Sequence, residues 1–287
     1  HIGRLSEHDC YNLLRGGIEY SDAIIPVSPT YAREILSSEY GFGLDGVLRD
    51  NQQKIQGILN GIDVHLWNPS TDPHLVAFYS PSDSSERIAS AKRANRKRLA
   101  NRFQLDETKR PWIGAITRLV PQKGPELLET GLHQTVARNG TFFLLGSSPM
   151  PDMQRHFESL KERYKNHQQA FLHLEYDEVL AHQLYAALDF LLVPSHFEPC
   201  GLSQMIAMHY GTIPIVRATG GLKDTVFDAE DSSVAPSKRN GFVFHAATSD
   251  AINQTLERIF HLWQTNPLLL QTLQRHGMQF EFGWNLP

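Results

Sequence analysis

At 287 residues the chain is long enough for about two domains, and its 41% hydrophobic and 20% charged content is that of an ordinary globular protein. A formal net charge of −4 supplies no general basic field for nucleic acid or an anionic membrane surface, so any anion site must be built locally. Two cysteines, Cys10 and Cys200, give neither a disulfide framework nor zinc-ligand spacing; this favours a reducing compartment, with each thiol read as a small buried hydrophobe.

Taken in chain order, the first segment is expected to form a strand over Asp22–Ser28, a helix over Tyr31–Ser37 and a strand over Lys54–Leu59 that runs into Asn60-Gly61-Ile62-Asp63. Two strands and a helix are too little for an independent core. Residues 1–66 therefore read as the tail of another domain, and His1-Ile2-Gly3-Arg4, without Met or signal-peptide anatomy, suggests a start inside a longer polypeptide. Asp63–Pro73 resembles a linker, because Asn68-Pro69 and Asp72-Pro73 resist helix. The basic run Lys92–Arg98 reads as a solvated helix face.

From residue 110 onward, apolar strands alternate with helices. Strands are predicted over Trp112–Thr117, Thr141–Gly146, Ala170–Leu174, Phe190–Pro194, Ile213–Val216 and Gly241–Phe244. Helices are predicted over Pro125–Arg138, Asp152–Lys165, Asp177–Ala187, Leu202–His209, Asp250–Trp263 and Pro267–Gly277. No apolar run reaches the length of a membrane span; Phe142–Gly146 and Phe190–Pro194 are strand-sized. Continuous apolar strands separated by helices imply a parallel sheet covered on both faces, so the fold class is doubly wound α/β over residues 67–287. In such sheets ligands sit beyond the carboxyl ends of the strands.

Three clusters follow strands. In Thr117-Arg118-Leu119-Val120-Pro121-Gln122-Lys123-Gly124, Arg118 and Lys123 can neutralise a departing diphosphate; by spacing alone they read equally as two surface cations beside a turn. In Ser195-His196-Phe197-Glu198-Pro199-Cys200-Gly201-Leu202-Ser203, the amides opening a helix near Gly201 form an anion-binding end. Glu198 there is placed either to accept from sugar hydroxyls or simply to complement the helix start. In Thr219-Gly220-Gly221-Leu222, the glycines open amide donors to phosphate or hydroxyl groups, or else merely make a tight turn. Asn60-Gly61 is ambiguous in the same way. Asp177, Glu178 and the Asp228–Asp231 patch lack metal-ligand spacing and read as solvated surface, so no metal or cofactor is expected.

The wording of these clusters resembles the bacterial glycogen synthase and plant starch synthase family. Ser28-Pro29-Thr30-Tyr31-Ala32-Arg33-Glu34, Leu59-Asn60-Gly61-Ile62-Asp63 and Trp67-Asn68-Pro69 carry the resemblance with the Thr117–Gly124, Phe197–Ser203 and Thr219–Leu222 segments. It extends from about Asp22 to Trp284, and Leu174-Glu175-Tyr176-Asp177-Glu178 looks closest to the plant-like and related bacterial branches. The resemblance implies a GT-B fold: residues 1–66 as the remnant of an acceptor-side Rossmann-like domain, 67–287 as the nucleotide-sugar-binding domain.

It further implies a retaining, metal-independent transfer of glucose from ADP-glucose to the nonreducing end of an α-1,4-glucan, with no nucleic-acid or membrane partner. Arg118 and Lys123 would then hold the diphosphate and Glu198 the donor glucose. The backbone of Cys200, Gly201 and Leu202, with Ser203 in a position where many members have Thr, would cradle sugar and phosphate. Tyr176 would pack beside adenine, Asn60 would line the cleft, and Gly220-Gly221 would sit near the nucleotide-sugar. Bacterial cytosol or plastid stroma is the implied setting.

Departures qualify the resemblance. Glu175 stands where a small residue is common, and Ile206, eight after Glu198, removes the paired-glutamate pattern of some other retaining transferases. The family's early Lys-x-Gly-Gly-Leu loop, its cleft histidine and its terminal crossing helix have no counterpart before Pro287. The polypeptide as it stands is therefore expected to bind nucleotide at best. Two other readings stay open: a retaining GT-B transferase using a UDP-sugar, and a noncatalytic glucan- or nucleotide-binding module. A nicotinamide-binding enzyme would need a Gly-x-Gly-x-x-Gly turn that the chain lacks.

Overall fold

A computed structural model describes residues 4–5, 10–105 and 110–284. The opening His1-Ile2-Gly3, the side chain of Cys10 and the final Pro287 lie outside the described residues. One short antiparallel pairing comes first among the described residues, β1 (Arg4–Leu5) against β2 (Cys10–Tyr11). Helices α1 (Leu13–Tyr20), α2 (Pro29–Glu34) and α3 (Asp45–Asp50) follow. Ile18, Ile35, Val47 and Leu48 form a small core of their own there.

The strands expected at Asp22–Ser28 and Lys54–Leu59 do not form as such. The two stretches meet in one isolated parallel bridge, Ile24 with Ile55, flanked by hydrogen bonds from Ile24 N to Lys54 O at 2.9 Å and from Ile58 N to Pro26 O at 2.9 Å. With no further strand beside them among the described residues, the pairing stays a single bridge. The helix predicted over Tyr31–Ser37 begins earlier, at Pro29, because Ser28 caps it and proline is pre-set for the first helical position.

The long α4 (Ser85–Phe103) leads into the main sheet. Its strands are β3 (Trp112–Ile116), β4 (Thr141–Leu145), β5 (Ala170–His173), β6 (Phe190–Val193), β7 (Ile213–Arg217) and β8 (Phe242–Phe244). They pair in parallel in the order β5-β4-β3-β6-β7-β8. Between them run α5 (Pro125–Ala137), α6 (Pro151–Tyr164), α7 (Glu178–Ala187), α8 (Ser203–His209) and α9 (Gly220–Thr225). Helices α10 (Ser249–Thr265) and α11 (Pro267–Gln279) close the chain.

Buried strand residues split into two cores, one on each face, as a sheet covered by helices on both sides requires. Phe143, Leu145, Leu191 and Val193 face one core; Phe142, Leu144, Phe190 and Leu192 face the other. No helix among the described residues is long and apolar enough to cross a membrane.

Two surface expectations fail. The presumed linker is pinned down: Asp72 is 1% exposed, accepting from the Tyr210 hydroxyl at 2.6 Å and sharing a 2.7 Å hydrogen bond with His182 Nδ1. Burial alone would raise the Asp72 carboxyl, but the His182 and Tyr210 hydrogen bonds and the His74 amide overcome it and hold it low. Trp67 stacks on His182 with ring centroids 4.1 Å apart.

The basic run is not wholly solvated either. Lys92 is 7% exposed and donates to Tyr210 O at 3.1 Å and Thr212 Oγ1 at 3.0 Å. Desolvation draws its pKa down to about 7, against a partial rise from Asp189.

Because the folded value lies below the ordinary 10.5, the unfolded chain binds more protons between about pH 7 and 10.5, and Lys92 makes stability climb with pH across that window. Lys92→Met is expected to remove this climb. Its stability relative to wild type should fall by about 2 kcal/mol between pH 7 and pH 9, read by urea unfolding at the two pH values. An unchanged difference would mean that Lys92 keeps an ordinary pKa.

Candidate active site

Counted within the sheet, the strand order is 3-2-1-4-5-6, so the order reverses between β3 and β6. Loops leaving these two neighbours run in opposite directions and leave a crevice at their carboxyl ends. The Arg118–Lys123 and Glu198–Ser203 clusters both sit there.

The two loops are laced together. Main-chain amides of His196 and Phe197 donate to Gln122 O at 2.9 and 3.4 Å, and Gln122 Nε2 donates back to Phe197 O at 2.9 Å. Gly124, at φ +64°, lies against Pro194, and a Cβ there would stand 2.5 Å from the Pro194 carbonyl. From the far side, Arg217 at the end of β7 donates to Ser195 O at 2.9 Å and to His196 O. Sequence reasoning did not single out Arg217, which directly follows the strand predicted over Ile213–Val216. Its fork, which fits two adjacent carbonyls, was the signal to follow.

Within this frame Lys123 and Glu198 form an ion pair through Glu198 Oε2, with side chains 18% and 7% exposed. Ser195 Oγ donates to the same oxygen at 2.9 Å. Glu198 Oε1 accepts from no group among the described residues. A buried carboxylate is thus charge-balanced on one oxygen and left with acceptor capacity on the other.

Arg118 is exposed on the same loop as Lys123. Tyr176, after β5, is 84% exposed, and its hydroxyl donates to Glu178 Oε2 at 3.2 Å. The backbone amides of Gly201, Leu202 and Ser203 donate to nothing among the described residues, which leaves adjacent donors open at the entrance to α8.

Cys200 is buried, and its thiol is raised chiefly by that burial, although the Asn60 amide hydrogen-bonds it and opposes the rise. That contact brings Asn60 to the crevice.

Gly220-Gly221 arrives differently from the expectation of open amides. The pair starts the short helix α9. Gly221 N donates to Glu198 O at 3.1 Å and Pro199 O at 3.2 Å. Gly220 N is taken by both carboxylate oxygens of Glu34, at 3.0 and 3.1 Å. These glycines therefore brace the Glu198 loop from beneath.

Further bonds tie the first segment to the same place: Ser28 Oγ to Pro199 O at 2.6 Å, Thr30 N to Asp224 Oδ2 at 2.7 Å and Thr30 Oγ1 to Asp224 Oδ1 at 2.6 Å. Phe197 adds aromatic contacts with Tyr31, Tyr40 and Phe42. Glu34, Thr30 and Asp224 were missed as site supports because their roles depend on partners more than 180 residues away.

The acidic residues weighed as metal ligands have structural partners instead. Asp177 Oδ1 caps α7 by accepting from Leu180 N at 2.8 Å, and Asp228 pairs with Arg258 at 2.7 Å.

The family model for glycosyl transferases group 1 matches residues 97–269, and that for the starch synthase catalytic domain matches residues 1–50. The chain belongs to the group 1 glycosyltransferases. Within them it falls in the glycogen and starch synthase family, with the GT-B fold. It is 45% identical over 279 residues to a glycogen synthase of Protochlamydia amoebophila, covering 96% of this chain and 56% of that protein. It is 44% identical to a probable chloroplastic/amyloplastic starch synthase 4 of Arabidopsis thaliana, over 98% of this chain and 27% of the relative. The solved catalytic domain of Arabidopsis thaliana starch synthase IV, bound to ADP and acarbose, superposes with a TM-score of 0.92 at 43% identity, over 97% of this chain and 56% of that one. The chain thus spans little more than half the length of the bacterial relative.

Gly220 tests the brace in this glycosyltransferase. Its φ is +44°, and a Cβ would fall 1.9 Å from Glu198 O. Gly220→Ala is expected to cost at least about 1 kcal/mol in stability, read by urea unfolding. Gly17→Ala, inside α1 where a Cβ meets open space, should instead raise stability by about 0.5–1 kcal/mol. Equal behaviour of the two variants would show that the brace does not position the loop.

Proposed function

We propose that the chain supplies the nucleotide-sugar half of a retaining glucosyltransferase that moves glucose from ADP-glucose to the nonreducing end of an α-1,4-glucan. The observation that carries this reading is the Lys123–Glu198 pair at the strand-order reversal, beside the open amides of Gly201, Leu202 and Ser203. The starch synthase IV structure bound to ADP and acarbose supports the same donor and a glucan-like acceptor.

In this reading Lys123 and Arg118 hold the diphosphate, and the three amides cradle its phosphate and the sugar. Glu198 Oε1 accepts from a glucose hydroxyl, Tyr176 packs beside adenine, and Asn60 lines the cleft. The acceptor hydroxyl attacks the anomeric carbon on the face that ADP leaves; the carbon–oxygen bond to phosphate breaks as the glycosidic bond forms. The hydroxyl proton passes to the departing phosphate oxygen. Charge gathers on that phosphate, and Lys123 is the cation positioned to stabilise it without reorganising solvent.

Residues 1–66 belong to the acceptor-side domain in this reading and 67–287 to the donor side. A bacterial cytosol or a plastid stroma is the proposed setting, supported by relatives of both kinds.

In the intact protein, Lys123→Ala and Glu198→Gln are each expected to lower turnover by at least about 10²-fold. For Lys123→Ala, ADP affinity should also fall. A panel of ADP-, UDP- and GDP-glucose should give transfer from ADP-glucose alone. Near-normal turnover of either variant would remove that residue from the mechanism, and preference for UDP-glucose would overturn the donor assignment.

A further inference from the structure

Arg217 ends β7, and the register that pairs Val216 with Val193 sets it one step beyond the end of β6, against the loop that carries Glu198. Its side chain is half-buried and has no carboxylate partner among the described residues. Every polar contact it makes goes to a neutral oxygen. Nε donates to Ser195 O at 2.9 Å, Nη2 to His196 O and, at 3.5 Å, to the Tyr40 hydroxyl, and Nη1 to His245 O at 3.5 Å. The cost of taking a cation partly out of water is usually offset by an opposite charge. Here the compensation must lie in the carbonyls themselves.

The two peptide units that Arg217 holds are consecutive and point the same way. The Ser195–His196 unit gives its carbonyl to Arg217 and its amide, that of His196, to Gln122 O at 2.9 Å. The His196–Phe197 unit repeats this, with His196 O on Arg217 and the Phe197 amide 3.4 Å from the same Gln122 O. Peptide dipoles of about 3.5 D each repel one another when they lie side by side in parallel. A cation at the carbonyl end and one shared acceptor at the amide end offset that repulsion. A guanidinium presents its donors in a fixed plane that spans both carbonyls, whereas an ammonium is a point charge.

The clamp ends beside the reactive pair on both sides. Lys123 follows Gln122 in the chain, and Glu198 follows Phe197. Ser195, inside the clamp, donates its hydroxyl to Glu198 Oε2 at 2.9 Å, the oxygen that also pairs with Lys123.

We propose that Arg217 is a positioning residue for glucose transfer, acting through the backbone: its forked cation holds two parallel peptide units in place so that Glu198 stays aligned on Lys123. The proposal rests on the reading of the crevice as a sugar-nucleotide site, and it separates two tasks there. ADP is held by Arg118, Lys123 and the amides of Gly201–Ser203, none of which bonds to the clamped carbonyls. The glucose is placed by Glu198, whose alignment depends on them. Loss of the fork slows transfer without weakening ADP.

The test compares Arg217→Ala and Arg217→Lys with the wild type in the intact protein. Turnover of glycogen and a sugar nucleotide is expected to fall by roughly 10–10²-fold in both, as for a small misplacement of a substrate-orienting group. ADP affinity in calorimetry should stay at the wild-type value. Millimolar methylguanidinium should restore part of the turnover of Arg217→Ala and leave the wild type unchanged, a recovery that a merely structural role does not give. If Arg217→Ala shows no cooperative urea transition, Arg217→Lys, which keeps the cation, carries the comparison. Wild-type turnover in Arg217→Lys would show that charge alone suffices and would overturn the proposal. So would a parallel loss of turnover and ADP affinity in that variant, which would mark a disrupted crevice and not a misplaced carboxylate.

The donor in these assays is whichever of ADP-, UDP- and GDP-glucose the wild type turns over, so a wrong donor assignment leaves the comparison intact. Transfer from none of them overturns the functional reading, and this proposal with it. Glu198→Gln separates the two claims. Impaired turnover in Glu198→Gln beside normal turnover in Arg217→Ala sinks the positioning role alone.

Discussion

A buried carboxylate beside a cation is costly to desolvate and is tolerated only when the surrounding structure fixes both partners. The Lys123–Glu198 pair meets that condition because it bridges two loops that leave adjacent strands on either side of the strand-order reversal. Each loop holds the other through main-chain bonds at Gln122, His196 and Phe197. The backbone positions from which the two side chains reach each other are therefore fixed. Without the reversal between β3 and β6 there would be no crevice for the pair to face.

The support extends outward in layers. Arg217 secures the carbonyls of Ser195 and His196. Gly221 secures those of Glu198 and Pro199, and Glu34 holds Gly220 in turn. Glu34, Ser28 and Thr30 all come from around α2, so the first segment reaches the Glu198 loop through side-chain contacts on α9 and Pro199. A shift of that segment would be felt at Glu198 through two hydrogen-bonded steps. In the two-lobed transferase we propose, this would be a direct route by which the relative position of the lobes reaches Glu198.

The doubly wound sheet was legible because each of its strands is a short, nearly continuous apolar run, which is what burial on both faces demands. That Lys123, Glu198 and the Gly201–Ser203 amides meet in one crevice was legible because loops leaving the carboxyl ends of neighbouring strands converge in such sheets. Other features were hidden for identifiable reasons. Gly220-Gly221 reads as a turn, yet it opens a helix because the Glu34 carboxylate, distant in sequence, caps it. Lys92 sits in a run of cations and looks solvated; only the packing of α4 over Tyr210 and Thr212 puts it inside. Asp72, in a proline-marked stretch, looks like a linker residue until His182 and Tyr210 close around it. In each case a long-range partner overrides a local pattern.

The arrangement of Glu198 also bears on how a donor could enter. Lys123 neutralises Glu198, so the crevice is not a bare positive pocket. A diphosphate arriving at the open amides of Gly201–Ser203 would compete with Glu198 for the Lys123 ammonium, a mobile point charge that can turn toward the stronger anion. Ser195 Oγ would remain on Glu198 Oε2, and a sugar hydroxyl on Oε1 would offset part of the lost ion pair. Binding of phosphate and binding of glucose are then coupled through one carboxylate. Under the proposed function a free nucleoside diphosphate would break the ion pair without that compensation, whereas a sugar nucleotide would supply it, so the site would favour the complete donor by the difference.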